Sequence, residues 1–284
     1  MEVIIPVMVK SGFQPQEGPE RYNDQGGLGF DHPPLGSEKG RRMKLRLGWV
    51  LPLFAVLALA ATAVMMFGAR FGLWPPIYGF GLVRTYLVPM GCIVLAISIL
   101  GFAYLMITGR KGSAIGAGIA ALIGVALLFP TIQAKLSGPK SYAMIHDITT
   151  DTDNPPAFQV LDESREGANN SLNYAGDEVA RIQKDSYPQI GPQISDLSAD
   201  QAFQKALMTA KDMGWTIVDQ DADARRFEAT AYTPVFHFAD DIVVVVTATD
   251  DTSRVDMRSV SRVGRSDMGA NAARIEAFQK AFAN

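Results

Sequence analysis

The densest run of chemically capable side chains is RSVSRVGRSDMGANAARI, Arg258 to Ile275, with four arginines, three serines, two glycines, an aspartate and an asparagine. Alternation along an extended strand sends Arg258, Val260 and Arg262 to one face and Ser259, Ser261 and Val263 to the other. Gly264 suits a backbone position with unusual torsions, and Ser266 or Asp267 suits the start of a helix. Two chemistries fit. In one, Arg258, Arg262 and Arg265, with Ser266, Asp267, Asn271 and the free N–H groups of the helix N-terminus, bind an anion such as a phosphate, a carboxylate or a lipid head group. Asp267 would compete with that anion for the same donors. In the other, the arginines pair with Asp240 and Asp241, or with Asp147 and Asp151, and brace the sheet.

Two further clusters carry titratable groups. FHFADD sets His237 between aromatics, just before Asp240 and Asp241, and is the nearest approach to an acid–base set. The plainer reading makes His237 a strand-end residue and the aspartates salt-bridge acceptors for Arg258 or Arg262. HDITTDTDNPP offers His146 and, as oxygen donors of the kind calcium takes, Asp147, Asp151, Asp153 and Asn154, but the spacing does not fit an EF-hand loop. Turn and capping roles before Pro155 fit better. No serine stands in a nucleophile elbow, no Gly-rich phosphate loop occurs, and no catalytic residue, metal site or cofactor is assigned.

The elements that must position these groups follow from periodicity. SADQAFQKALMTAKDMG predicts an amphipathic helix with Ser198 or Asp200 as cap and Ala202, Phe203, Ala206, Leu207 and Ala210 as its stripe. WTIVDQD, RRFEATAYT, DDIVVVVTATD and SRVDMRSVSRV predict a four-strand meander with turns at residues 221–224 and 250–253. MGANAARIEAFQKAFAN predicts the last helix, with Ala272, Ile275, Phe278 and Phe282 inward. A short extended piece lies in SYAMIHDITTDTDNPPAF, and residues 159–196 look loop-like. The sum is an α+β domain over 141–284, an antiparallel sheet covered by helices on one face.

Upstream, three segments are long and apolar enough to cross a bilayer core of ~30 Å: Leu47 to Ala69, Thr85 to Ile107 and Ser113 to Ile132. They define a membrane domain over 45–136 behind a tail, 1–44, of disordered composition. Met43 is an alternative start, and MKLRLGWVLPLFAVLALAATA from Met43 also resembles a signal peptide. A retained first span is the preferred reading, because its apolar run continues past Ala63. Lys39, Arg41, Arg42, Lys44 and Arg46 before span one decide the orientation, because the other flanks (Arg70 and Arg84; Arg110 and Lys111; Lys135 and Lys140) are evenly matched. They put the N-terminus and the Arg110 turn in the cytoplasm. The 141–284 domain then lies outside the cytoplasmic membrane, in the periplasm or beyond. Gly112, Gly116 and Gly118 of span three permit close helix approach, either within this chain or against another membrane protein. The net charge of −3 argues against a nucleic-acid partner, and the single cysteine, Cys92, excludes an internal disulfide.

HDITTDTDNPPAF, YPQIGP, FHFADDIVVVV and DMRSVSRVGRSDMGANAARI, in that order, resemble the bacterial and plastid family called domain of unknown function 1499, from about Ile145 to Phe282. The resemblance implies an exported or membrane-attached protein and no established reaction. The expectation is a membrane-anchored exported accessory or binding module, engaging a membrane protein complex or an anionic ligand or lipid through the Arg258–Arg274 corner. The alternative is a cell-envelope enzyme using His237, Asp240 and Asp241 on an anionic substrate. An enzyme needs those groups to converge on a cleft; an accessory module needs its arginines already satisfied and an apolar patch exposed elsewhere.

Overall fold

The computed structural model describes residues 37–138 and 141–284, and side chains from 48 onward within them. The tail before residue 37 and the basic side chains before span one lie outside the described residues. Three long helices come first: α1, Ser37–Phe67, extended by a 3-10 turn at Gly68–Phe71; α2, Pro76–Ile107; and α3, Lys111–Leu136. All three are long and apolar enough to cross a membrane. The helix α1 begins eight residues before the expected boundary at 45, and α2 begins nine before Thr85.

Small residues set how close these helices come. A Cβ at Gly116 would strike the Gly48 carbonyl of α1, and one at Gly124 would meet the Leu95 backbone of α2 at 2.9 Å. Ala55, Ala58, Val94, Ala120 and Leu127 form the shared core. Of the glycines singled out in span three, Gly116 therefore packs within the chain, whereas a Cβ at Gly112 or Gly118 meets nothing within 4 Å among the described residues.

After residue 140 come β1 (Asp147–Thr149), α4 (Asp177–Ser186), β2 (Gln193–Ser195), α5 (Ala199–Asp212), β3 (Thr216–Asp221), β4 (Arg226–Tyr232), β5 (Ala239–Ala248), β6 (Ser253–Ser261) and α6 (Ala270–Ala283). The predicted meander is present as β3-β4-β5-β6, all antiparallel. Two short strands share the far edge of β6: β1 pairs with residues 258–260 and β2 with 253–255. The sheet is thus open and six-stranded, an α+β fold. Ser198 closes a capping box with Gln201 at the start of α5. This satisfies two of the backbone N–H groups that a helix start leaves free.

The stripes of α5 and α6 bury against Ile148, Phe227, Ala229, Ile242, Val244, Val255 and Met257, one face of the sheet. Alternation sends Asp147, Glu228, Asp241 and Arg258 to the opposite face, yet all four are buried. The cover there is the segment 151–176, which has no helix or strand of its own. Coverage on both faces explains the unbroken apolar run of β5, which reads like a strand of a fully buried sheet. Residues 159–196 are not all loop: α4 and β2 lie within them. Gln183 of α4 donates to the Thr149 carbonyl at 2.6 Å and accepts from the Thr149 N–H at 3.0 Å. Its amide therefore occupies the hydrogen-bonding groups of edge strand β1 as another strand would.

Candidate functional site

The polar face of the sheet is a network of ion pairs built by β1, β4, β5 and β6 and closed by the 151–176 segment. Arg258 of β6 meets Asp147 of β1 through Nε at 2.9 Å and Nη2 at 2.7 Å. The same guanidinium donates to the carbonyls of Leu172 and Pro156, and lies 5.3 Å from the Tyr174 ring centroid and 5.5 Å from that of Phe158. Its fork is thus occupied and two aromatic rings lie against it, and it is 2% exposed. Burial and the Asp147 charge push the Tyr174 phenol up to about 12, and its buried hydroxyl has no hydrogen-bond partner.

One strand further in, Asp241 accepts from Arg262 Nε at 3.0 Å, Arg262 Nη2 at 2.8 Å and the Thr230 hydroxyl at 2.9 Å. Arg165, from the covering segment, approaches it at 2.8 Å in an ion contact whose N–H is not aligned for a hydrogen bond. Glu228 of β4 pairs with Arg226 at 2.8 Å and accepts from the backbone N–H groups of Gln159, Val160 and Leu161. Those successive N–H groups form a concavity of the kind that holds anions, and here the protein's own carboxylate fills it. At the edge, Arg254 bridges Asp151 and Asp256. Burial raises the Asp151 carboxyl, but the Asn154 and Asp153 N–H groups and Arg254 outweigh it, and the net shift is below the ordinary value.

The sequence-predicted corner separates into parts. Arg258 and Arg262 lie on the polar face, whereas Arg274 crosses under the helix layer to pair with Asp240. Asn271 is buried there, donating to Ser261 Oγ and the His146 carbonyl and accepting from Ser259 and Arg274. Asp267 accepts from the Gly269 and Asn271 N–H groups at 2.8 Å each, so a carboxylate already caps α6. Ser266 donates to the Ala143 carbonyl at 2.7 Å. Gly264 takes φ +97°, as its predicted role requires. Of the named arginines only Arg265 is exposed.

The three acid–base candidates do not converge. Neighbouring residues of one strand point to opposite faces, and the partners of Asp240 and Asp241 lie on opposite sides of the sheet. Burial raises the Asp240 carboxyl above its ordinary value, with Arg274 and Ser261 drawing it partly back. His237 stacks on Tyr232 at 4.3 Å, and its Nδ1 is buried without a partner. Burial, and then the nearby Arg70, hold the imidazole below its ordinary value. A cleft of about 570 Å³ opens between Asp151, Asp153, Lys184, Tyr187, Pro192 and Arg254, and none of the three candidates lines it. Asp151 and Asp153 face Arg254 and Lys184, and the Asp151 carboxylate accepts from the Asp153 and Asn154 N–H groups, which is a turn role. No cluster of three metal-ligating side chains occurs among the described residues.

Sequence reading passed over Arg165, Glu228 and Gln183. Glu228 carried a signal: Arg226, Glu228 and Thr230 alternate with Phe227, Ala229 and Ala231, so a polar face was readable. Nothing in the alternation shows that a segment lies across it. Residues 147–282 match the family model described as "Protein of unknown function (DUF1499)". No curated protein matches the chain.

Proposed function

We propose, from the premise that residues 147–282 match the DUF1499 family model, a description that brings no activity with it, that the chain is a membrane-anchored recognition or accessory module. Its three apolar helices hold the domain at the outer face of the cytoplasmic membrane, the orientation favoured by the basic residues ahead of span one. One observation carries the reading: three of the four arginines of the signature motif, Arg258, Arg262 and Arg274, are spent on Asp147, Asp241 and Asp240. They act as braces, and an incoming anion would have to displace a buried carboxylate.

What the braces hold outward is the tip of the corner. Tyr142, Met144 and Met268 are 42%, 62% and 54% exposed, and Arg265 stands beside them. Ser266 and Asp267 fasten this tip to Ala143 and Ile145 through 2.7 Å and 3.2 Å hydrogen bonds. An apolar patch edged by a cation that has no partner among the described residues is the composition of a protein contact rather than of a catalytic pocket. The partner is a membrane protein complex that presents an apolar, acidic surface.

Native mass spectrometry of the gently extracted full chain tests this, with Met268→Ser/Arg265→Ala beside it. A protein bound stoichiometrically by the wild type and lost from the variant, with stability unchanged, supports the reading. An equally occupied variant overturns the tip as the contact. A reporter fused at the C-terminus and active only in the cytoplasm overturns the orientation.

A further inference from the structure

We infer that the domain-side end of α1 binds an anionic phospholipid, with Arg70 holding the phosphate and the groove formed by Ala63, Val64, Phe67, Phe71 and Leu73 holding an acyl chain. The groove has about 410 Å³, within the usual ~300–1,000 Å³ of small-ligand sites. Its walls are apolar, and Phe71 and Leu73 are 76% and 59% exposed. On a helix long and apolar enough to cross the bilayer, lipid is the medium that meets this surface.

Arg70 stands at the mouth of that groove and differs from the arginines of the domain. It is exposed, and no carboxylate pairs with it among the described residues. Its one hydrogen bond among the described residues runs from Nη2 to the Pro234 carbonyl at 2.7 Å. A guanidinium has five N–H donors, so an edge remains for a phosphate, which it grips with two parallel hydrogen bonds. Beside it lies His237, in left-handed backbone at φ +61°, with a buried Nδ1 that has no partner among the described residues. Phe80 of α2 holds this loop in place, edge-on to Phe236 at 5.4 Å and Phe238 at 6.1 Å. A cation with donors unspent, an unpartnered ring nitrogen and an apolar groove thus meet at one end of the bundle.

The site shares no residue with the Tyr142–Met268 tip, so either proposal can fail without the other. The test is native mass spectrometry of the full chain in neutral detergent, offered phosphatidylglycerol, phosphatidylcholine with the same chains, or inorganic phosphate. Phosphatidylglycerol should be retained about tenfold over phosphatidylcholine, because both carry the phosphate but the quaternary ammonium of phosphatidylcholine cancels its charge and is repelled by Arg70. Arg70→Gln should erase that preference, and Arg84→Gln, on α2, should leave it. Ala63→Phe, which fills the groove at an exposed position, should lower retention of both lipids and stands in if Arg70→Gln does not fold. Equal losses from Arg84→Gln would reduce the effect to general charge attraction and overturn the site. Retention untouched by Arg70→Gln or by Ala63→Phe would do the same. Inorganic phosphate binding as well as the lipid would make it an anion site without a chain.

Discussion

Arg258 and Asp147 face each other across β6 and β1 in a two-pronged pair, 2.9 and 2.7 Å, with both side chains under 10% exposed. A pair so deeply buried is weak evidence of net stability, because both ions have lost their water. Removing one partner is another matter, since it strands a charge. Arg258→Met should cost about 3–5 kcal/mol, the range for breaking a buried pair. The double variant Arg258→Met/Asp147→Leu should recover most of that loss. Denaturant unfolding of the full chain in detergent, followed by circular dichroism, measures both. A single-variant loss below about 1 kcal/mol, the range of exposed pairs, would show that the network braces nothing.

Tyr174 stacks on the same guanidinium with its hydroxyl buried and unpartnered. An unsatisfied buried hydroxyl is a cost, so Tyr174→Phe should leave stability unchanged or raise it by up to about 1 kcal/mol. Its pH behaviour has a definite sign. The folded phenol ionises at about 12, against an ordinary 10, so the folded state holds its proton where the unfolded chain has released it. Stability from this group is therefore intact below pH 10 and falls as pH rises from 10 to 12. Tyrosinate absorbance against pH should show a late-titrating component near pH 12 that is lost in Tyr174→Phe.

Glu228 binds the covering segment to the sheet through three successive N–H groups and Arg226. Glu228→Gln keeps the shape but removes the charge and places a donor where the N–H groups expect an acceptor. The expected loss is about 2–3 kcal/mol, the range of charge-assisted hydrogen bonds. The segment 151–176 should also open to proteases before the sheet does. Limited proteolysis with mass mapping reads this out, and unchanged cleavage kinetics there would refute the clamp.

The same clamp marks where sequence reading stopped. The stripe Ala202, Phe203, Ala206, Leu207, Ala210, the cap at Ser198 and the inner face of α6 were all visible, because local periodicity and capping chemistry set them. The meander was visible for the same reason. The helix α4 was not, since it starts at Gly176 without a side-chain cap and buries only Ala180 and Gln183. Strand β2 has three residues and exists only because β6 is there to pair with it. In the corner, Arg258 and Arg262 were correctly placed on one face, but which carboxylate each meets depends on register and on long-range chain paths. Asp147 lies 111 residues from Arg258, and no spacing rule connects them.

Gly116 and Gly124 separate packing inside the bundle from contact with anything else. A side chain at Gly116 collides with the Gly48 carbonyl, and one at Gly124 with the Leu95 backbone. Backbone cannot swing aside as a flexible side chain can, so Gly116→Leu and Gly124→Leu should each force helices apart and cost about 1–3 kcal/mol, as overpacking does. A Cβ at Gly112 or Gly118 meets nothing within 4 Å among the described residues, so Gly112→Leu and Gly118→Leu should leave unfolding in detergent unchanged. The second pair therefore reports on a partner. If span three docks on another membrane protein through its small-residue face, Gly118→Leu should lower co-extraction of that protein while the purified chain unfolds as before. Equal destabilisation by all four substitutions would show that α3 does not sit against α1 and α2 in this register.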